Sequence, residues 1–439
     1  MLSVINLAEE SGEALRFIDT KWDDLCANAR FGHPDRFSEW QSEAATSHDG
    51  HLGEERDTCP PYILYLPNDF IRPGGRFMVQ FYWDSYFINL ALLASGRTLL
   101  AKGIVENCFH LIERHGMVIA NRKRWSAGSQ LPFLSRMVDD VFRATRDTTW
   151  LHRAVGFIER EYWGYWLNSD HLTGIGLSRY HAPPCFPSVS IPAITMDHEA
   201  TWDLTPRFEV QDVLRLAPVD VNSNLYSYER DLAAFHRELG DEARSKEWSQ
   251  RADRRSQRIS EFLWNDADGM FYDYDFVKRQ PKRVRSLATF FPLFHRVCEP
   301  GQAAAVAKHL RDFEQRHGLA TCDRAYGFID RQWNFPLGWA PLHWIAYTGL
   351  NSYGYEKDAE RVALKWLSLN LDVWRRTSCF FEKYDVVNGT QEVLTDRYRN
   401  QEGFGWTNSI FHMLTLDLLT RTDDDRKNSP SPDRSQGGV

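Results

Sequence analysis

Apolar residues recur at helical spacing along most of this chain, while segments alternating with the period of a strand are scarce. That imbalance restricts the fold more than any other feature. Leu99–His115 carries Leu100, Ile104, Val105, Phe109 and Ile112 on one helical face. Leu225–Leu239 stops at Gly240, and Glu242–Trp264 follows at once, so the two read as an αα-hairpin. Ser11–Asn28, Gly301–His317, Tyr355–Trp374 and Trp406–Leu419 complete the predicted helices. The loops between them are dense in Trp, Tyr, Asp, Gly and Pro: PGGRF, YWDSY, HEATWDLTPRF, NDADGMFYDYD, QWNFPLGWAP and FFEKYD. The expectation is an all-α helical toroid or bundle, with paired helices as scaffold and long functional loops gathered at one end. No short-period repeat suggests an open solenoid.

Composition narrows the partners. The 439 residues carry a net charge of −8, which offers no basic excess for nucleic acid or an anionic membrane surface. Aromatic residues make up 14%, surface suited to stacking on sugar faces as well as to core packing. The start lacks a basic segment followed by an apolar one, and no apolar run is long enough to span a bilayer. The seven cysteines are scattered without a CxxC pair, which suits free thiols in a reducing cytoplasm and speaks against a zinc site. Residues 1–60 read as a helical and loop extension packed on the helical body over 61–421, and 422–439 as a polar tail.

The chain has no Walker loop, GxGxxG fingerprint, GxSxG elbow or HExxH pair, and Asn265–Asp275 lacks the acidic spacing of a calcium loop. It does have carboxylates set among aromatic residues: Trp83-Asp84, Trp202-Asp203 and Glu382-Lys383-Tyr384-Asp385. Glycosidic cleavage needs two such groups, one protonated toward the leaving oxygen and one ionised toward water or carbon. Burial against aromatic rings raises one pKa and leaves a better-solvated partner low. On spacing alone each of these carboxylates also fits an ordinary loop hydrogen-bonding role.

Two long segments shift that balance. Arg72–Tyr86, RPGGRFMVQFYWDSY, and Gln332–Pro341, QWNFPLGWAP, closely resemble the two signatures of the trehalase family of glycoside hydrolases. Asn121-Arg122, Ser129-Gln130, Trp202-Asp203 with Arg207-Phe208, PVDVNSNLY from Pro218, LWNDADGMFYDYD from Leu263, EKYD from Glu382 and QEGFGWTN from Gln401 match in the family's order. The resemblance runs from about residue 62 to 419. It implies an (α/α)6 barrel that hydrolyses an α-glucoside with inversion, Asp203 as general acid and Glu382 as general base. Arg76, Phe77, Trp83, Asp84, Asn121, Gln130 and Trp202 are then expected to hold the glucosyl ring, and Trp333 and Trp406 to wall the pocket. No metal or organic cofactor is implied; the expected partners are a small α-glucoside and water.

The chain departs from the family pattern at Gly128, where an Arg is usual, at Ala182–Pro187 in place of PRPESY, at Asn334 in place of Asp, and at TQEVLTDRYRN, which puts Arg397 near the usual Glu. In the family that the chain resembles, several of these positions serve the leaving sugar or close over it. The expectation is therefore a small non-reducing glucoside, glucosylglycerol favoured, with trehalose as the alternative and a non-catalytic sugar-binding relative as the contrasting class.

Overall fold

The computed structural model describes residues 2–28, 65–119, 128–181, 199–208, 212–327, 332–393 and 398–428. Among these, twelve helices alternate between an inner and an outer ring. The inner ring is α2 (Tyr82–Ala94), α4 (Leu134–Thr145), α6 (Val219–Glu238), α8 (Phe291–Phe294), α10 (Ala340–Ser352) and α12 (Gly405–Asn428). The outer elements are α1 (Leu7–Leu25), α3 (Thr98–His115), α5 (Thr148–Glu161), α7 (Glu242–Arg258), α9 (Pro300–Lys308) and α11 (Glu356–Thr377). Each inner helix packs on the next, α2 on α4, α4 on α6, and so on to α10 on α12, and α12 packs back on α2. The ring closes without a sheet, so the barrel expected from the sequence is the fold.

Burial follows from this layering. The outer α3 buries Ile104, Val105, Cys108, Phe109 and Ile112 and leaves its other face to water. The inner α2 buries everything from Tyr82 to Asn89, polar residues included, because neighbours surround it. The strands are two to three residues long and serve as clips. β1 (Cys26–Ala27) pairs with β2 (Phe70–Ile71), and Arg72 donates from its backbone to Leu25 O at 3.0 Å and from its guanidinium to Asp24 O at 2.7 Å. β3 (Leu337–Trp339) pairs antiparallel with β4 (Lys383–Asp385), with Trp339 opposite Lys383.

α1 packs on both α11 and α12 at the ring's seam. Helix α12 continues to Asn428, past the boundary drawn at 421.

Candidate active site

In a ring of alternating helices joined by short hairpins, the inner helices run in parallel and their N-termini share one end. The sequence motifs lie immediately before those N-termini: Arg72–Phe81 before α2, Ser129-Gln130 before α4, Trp202–Phe208 before α6, Gln332–Trp339 before α10 and Glu382–Phe404 before α12. This placement collects segments separated by hundreds of residues.

The arm before α2 is held by close backbone approach. Gly74 has φ +134°, and a Cβ there would meet Gly403 O at 2.8 Å and Phe404 Cα at 2.9 Å, so a side chain is excluded. Gly405 N donates to Pro73 O at 2.5 Å, and Arg76 N to Gln401 Oε1 at 2.8 Å. Arg76 itself is exposed at the rim. Phe77 is half-buried and edge-on to both Phe404 and Tyr398, with centroids 5.9 Å apart in each case.

Gln130 has a definite local task. Its Oε1 accepts Tyr82 N at 2.8 Å and Trp83 N at 3.3 Å, filling the first turn of α2, where Phe81 provides no side-chain cap. Asp84 follows one residue later and is buried. Its carboxyl is held well above the usual range, first by burial and further by the charges of Glu382 and Asp203. Carboxylates from two other segments thus act on Asp84 at the same end of the barrel.

Indoles surround them. Trp333 lies 6.1 Å from Trp83, 5.3 Å from Trp202 and 6.4 Å from Trp406, and stacks face to face on Trp339 at 3.9 Å. Trp406 donates through Nε1 to Glu382 O at 3.0 Å, fixing the backbone beneath that carboxylate. The indole Nε1 groups of Trp83 and Trp202 are buried with no hydrogen-bond acceptor among the described residues.

Trp202 and Asp203 sit between two residues with left-handed backbone, Thr201 at φ 63° and Leu204 at φ 58°. Neither residue favours that region, so the surrounding contacts must impose it. On one side Glu199, fully buried, accepts from Tyr165 OH, from His181 N at 2.6 Å, and is 3.0 Å from His171 Nε2. Tyr165 OH in turn accepts Ser129 N at 2.9 Å, tying this loop to Gln130. On the other side the buried Arg207 guanidinium reaches Asp273 at 2.7 and 2.9 Å and Asp220 at 2.6 Å, and lies 4.5 Å over the Trp202 ring. Asp203 is half-buried, whereas Glu382 is almost fully buried.

Asn334 is turned away from this space. Its Nδ2 donates to Tyr326 O at 2.8 Å, and its Oδ1 accepts Phe335 N at 2.9 Å and Tyr326 N at 3.2 Å. Only an amide can both donate and accept there, which accounts for Asn rather than Asp. The sequence reading counted this residue as a lost aglycone contact; its side chain is spent on the loop. Asn121, Ala182–Pro187 and Arg397 lie outside the described residues.

Four residues absent from the predicted set belong here: Lys383 and Tyr398 on the two oxygens of Glu382, Gln332 on Lys383, and Trp339 beneath Trp333. Lys383, Gln332 and Trp339 stood inside quoted motifs; Tyr398 stood in a segment read only as a departure. Beside the carboxyls, not over them, a cavity of about 720 Å³ is lined by Phe381, Gln391, Tyr398, Asn400 and Glu402 among others.

Carboxyls of unequal exposure set among indoles in a helical toroid have the composition that glycosidic cleavage requires. The chain belongs to the trehalase family, whose profile, described as Trehalase, matches residues 54–200 and 203–419. It is 31% identical over 80% of its length to the cytosolic neutral trehalase of Emericella nidulans, and spans 57% of that relative. With the periplasmic trehalase of Pseudomonas aeruginosa it shares 30% identity over 81% of its length and 72% of the relative's. The chain thus spans little more than half the length of the first of these. The solved structure of neutral trehalase from Saccharomyces cerevisiae superposes with a TM-score of 0.78 over 95% of both chains at 27% identity.

Proposed function

We propose that this protein hydrolyses the α-glucosidic bond of α,α-trehalose with inversion, in the cytoplasm. In this reading Asp203 gives its proton to the leaving oxygen, and Glu382 takes one from a water attacking the opposite face of the sugar. Bonds balance simply: the glycosidic C–O breaks, the water C–O forms, and the two carboxyls exchange protonation states. Arg76, Phe77, Trp83, Asp84, Asn121, Gln130 and Trp202 hold the glucosyl unit, Trp333 and Trp406 wall it, and the Nε1 groups of Trp83 and Trp202, unpaired among the described residues, suit sugar oxygens. The observation that carries the reading is the buried Asp84, raised by the charges of both Glu382 and Asp203, beside the Trp333 cluster. The names of the relatives support trehalose over the glucosylglycerol preference expected from the sequence, and the name of the Emericella relative supports the cytoplasm.

Glucosylglycerol stands as the second reading because Gly128, which is buried and has no side chain, replaces the family's Arg beside Gln130. The turned-away Asn334 removes one of its supports. Kinetics on the two substrates side by side decide between them. We expect kcat/KM for trehalose to exceed that for glucosylglycerol; the reverse order by about tenfold, a gap of roughly 1.4 kcal/mol, would restore the small-aglycone reading.

A further inference from the structure

We propose that Lys383 and Tyr398 are positioning residues that fix the carboxylate plane of Glu382 and couple it to the arm carrying Arg76. The proposal rests on the reading of Glu382 as the general base. Lys383 Nζ lies 2.7 Å from Glu382 Oε2, and Tyr398 OH donates to Glu382 Oε1 at 2.6 Å, so both oxygens are held at once. A carboxylate offers about four lone-pair directions, so two remain for water. A carboxylate held by one donor can still swing about its bonds; one gripped on both oxygens presents a fixed lone pair to water.

Lys383 is fully buried, and its ammonium also donates to Gln332 Oε1 at 3.0 Å. An ammonium without exposure needs a carboxylate partner, and Glu382 is the one at hand. Its height is set by the β3–β4 ladder, which puts Lys383 opposite Trp339, with Nζ 5.0 Å from that ring. The Tyr398 ring lies between two cations, Lys383 Nζ at 4.5 Å and Arg76 Cζ at 5.2 Å, and meets Phe77 edge-on. Arg76 and Phe77 are assigned above to the glucosyl unit, so a sugar that settles the arm also settles Tyr398 and, through it, Glu382. Among the described residues, the charged and titratable groups that bond to Glu382 or feel its charge are Lys383, Tyr398 and Asp84; Arg76 lies against the Tyr398 ring, and Asp203 also acts on Asp84.

The test uses the full chain with α-glucosyl fluoride, whose small leaving group makes little demand on the aglycone side. Tyr398→Phe keeps the ring and removes the hydroxyl; kcat should fall about tenfold or more, with KM within about threefold. Lys383→Met removes the ammonium, which favours the ionised base, so the acidic limb of kcat/KM should move up by about one pH unit or more. Wild-type kcat in Tyr398→Phe together with a wild-type acidic limb in folded Lys383→Met would overturn the proposal. If Lys383→Met does not fold, kcat in Tyr398→Phe decides alone. Glu382→Ala with added azide separates the two levels. Formation of β-glucosyl azide supports Glu382 as base even if the positioning variants behave normally. Unimpaired hydrolysis in Glu382→Ala removes the base assignment itself.

Discussion

Glu161 offers a test of the scaffold that does not depend on the reaction. It lies fully buried at the end of α5, and its Oε2 is 3.0 Å from Tyr82 OH on α2 and 2.8 Å from Tyr228 OH on α6. The two phenolic oxygens are 2.6 Å apart, and both accept from Leu134 N on α4. Three oxygen–oxygen contacts need three protons, and two phenols supply only two. A protonated Glu161 supplies the third. Burial accordingly pushes its carboxyl up from 4.5 to about 7, against the lowering effect of the two hydroxyls.

The folded pKa is raised, so the stabilisation is fully present below about pH 4.5 and is lost as pH rises to about 7. The loss over that window is roughly 3 kcal/mol, at 1.36 kcal/mol per pH unit of separation. Glu161→Gln presents a donor and an acceptor in the same place at every pH. It should therefore be more stable than wild type by up to roughly 3 kcal/mol at pH 8, and lose that advantage at pH 4.5. For a chain of this length, unfolding entropy per residue converts 3 kcal/mol to about 3 °C in Tm. Scanning fluorimetry of both proteins at the two pH values reads the difference. Asp140, pushed up to about 6 by burial, contributes the same sign to both and cancels. A wild-type-to-variant gap that does not change with pH would refute the neutral-acid reasoning.

Asp203→Asn and Glu382→Gln should each lower kcat by about two to four orders of magnitude while circular dichroism stays native; near-normal turnover in either removes that residue from the mechanism. Proton NMR of the first-formed sugar should show β-glucose, whereas initial α-glucose would require a nucleophile about 5 Å from the acid. Arg207→Met leaves Asp220 and Asp273 buried without their cation and should cost about 3–5 kcal/mol, read as a lowered denaturation midpoint; an unchanged midpoint would mean the cluster does not brace the Trp202 loop.

Which parts of this architecture could be read beforehand follows from where each helix sits. Outer helices face water on one side, so α3, α7 and α11 advertise themselves by apolar spacing, and their predicted bounds lie close to the observed ones except where Glu242–Trp264 ends in a wider turn over Ile259–Leu263. The inner α2 and α10 are covered on all sides; YWDSYFINLALLA and APLHWIAYTGLNS carry no such period and read as loop or motif. The site shows the same division. The groups proposed to face a substrate, Asp203, Glu382 and the tryptophans, sit in recognisable strings. The residues that hold them are not recognisable as such, because their meaning lies in pairings across the ring. Gln130 reads as a sugar ligand, and its Oε1 also fills the first turn of α2, while Asn334 reads as a lost contact and ties down its own loop. Tyr398 is an ordinary tyrosine until the fold places its hydroxyl on Glu382, sixteen residues back. Motif strings thus point to the proposed reacting groups of such a barrel. The variants that would change their alignment are found only by following the hydrogen bonds that run between inner-helix N-termini.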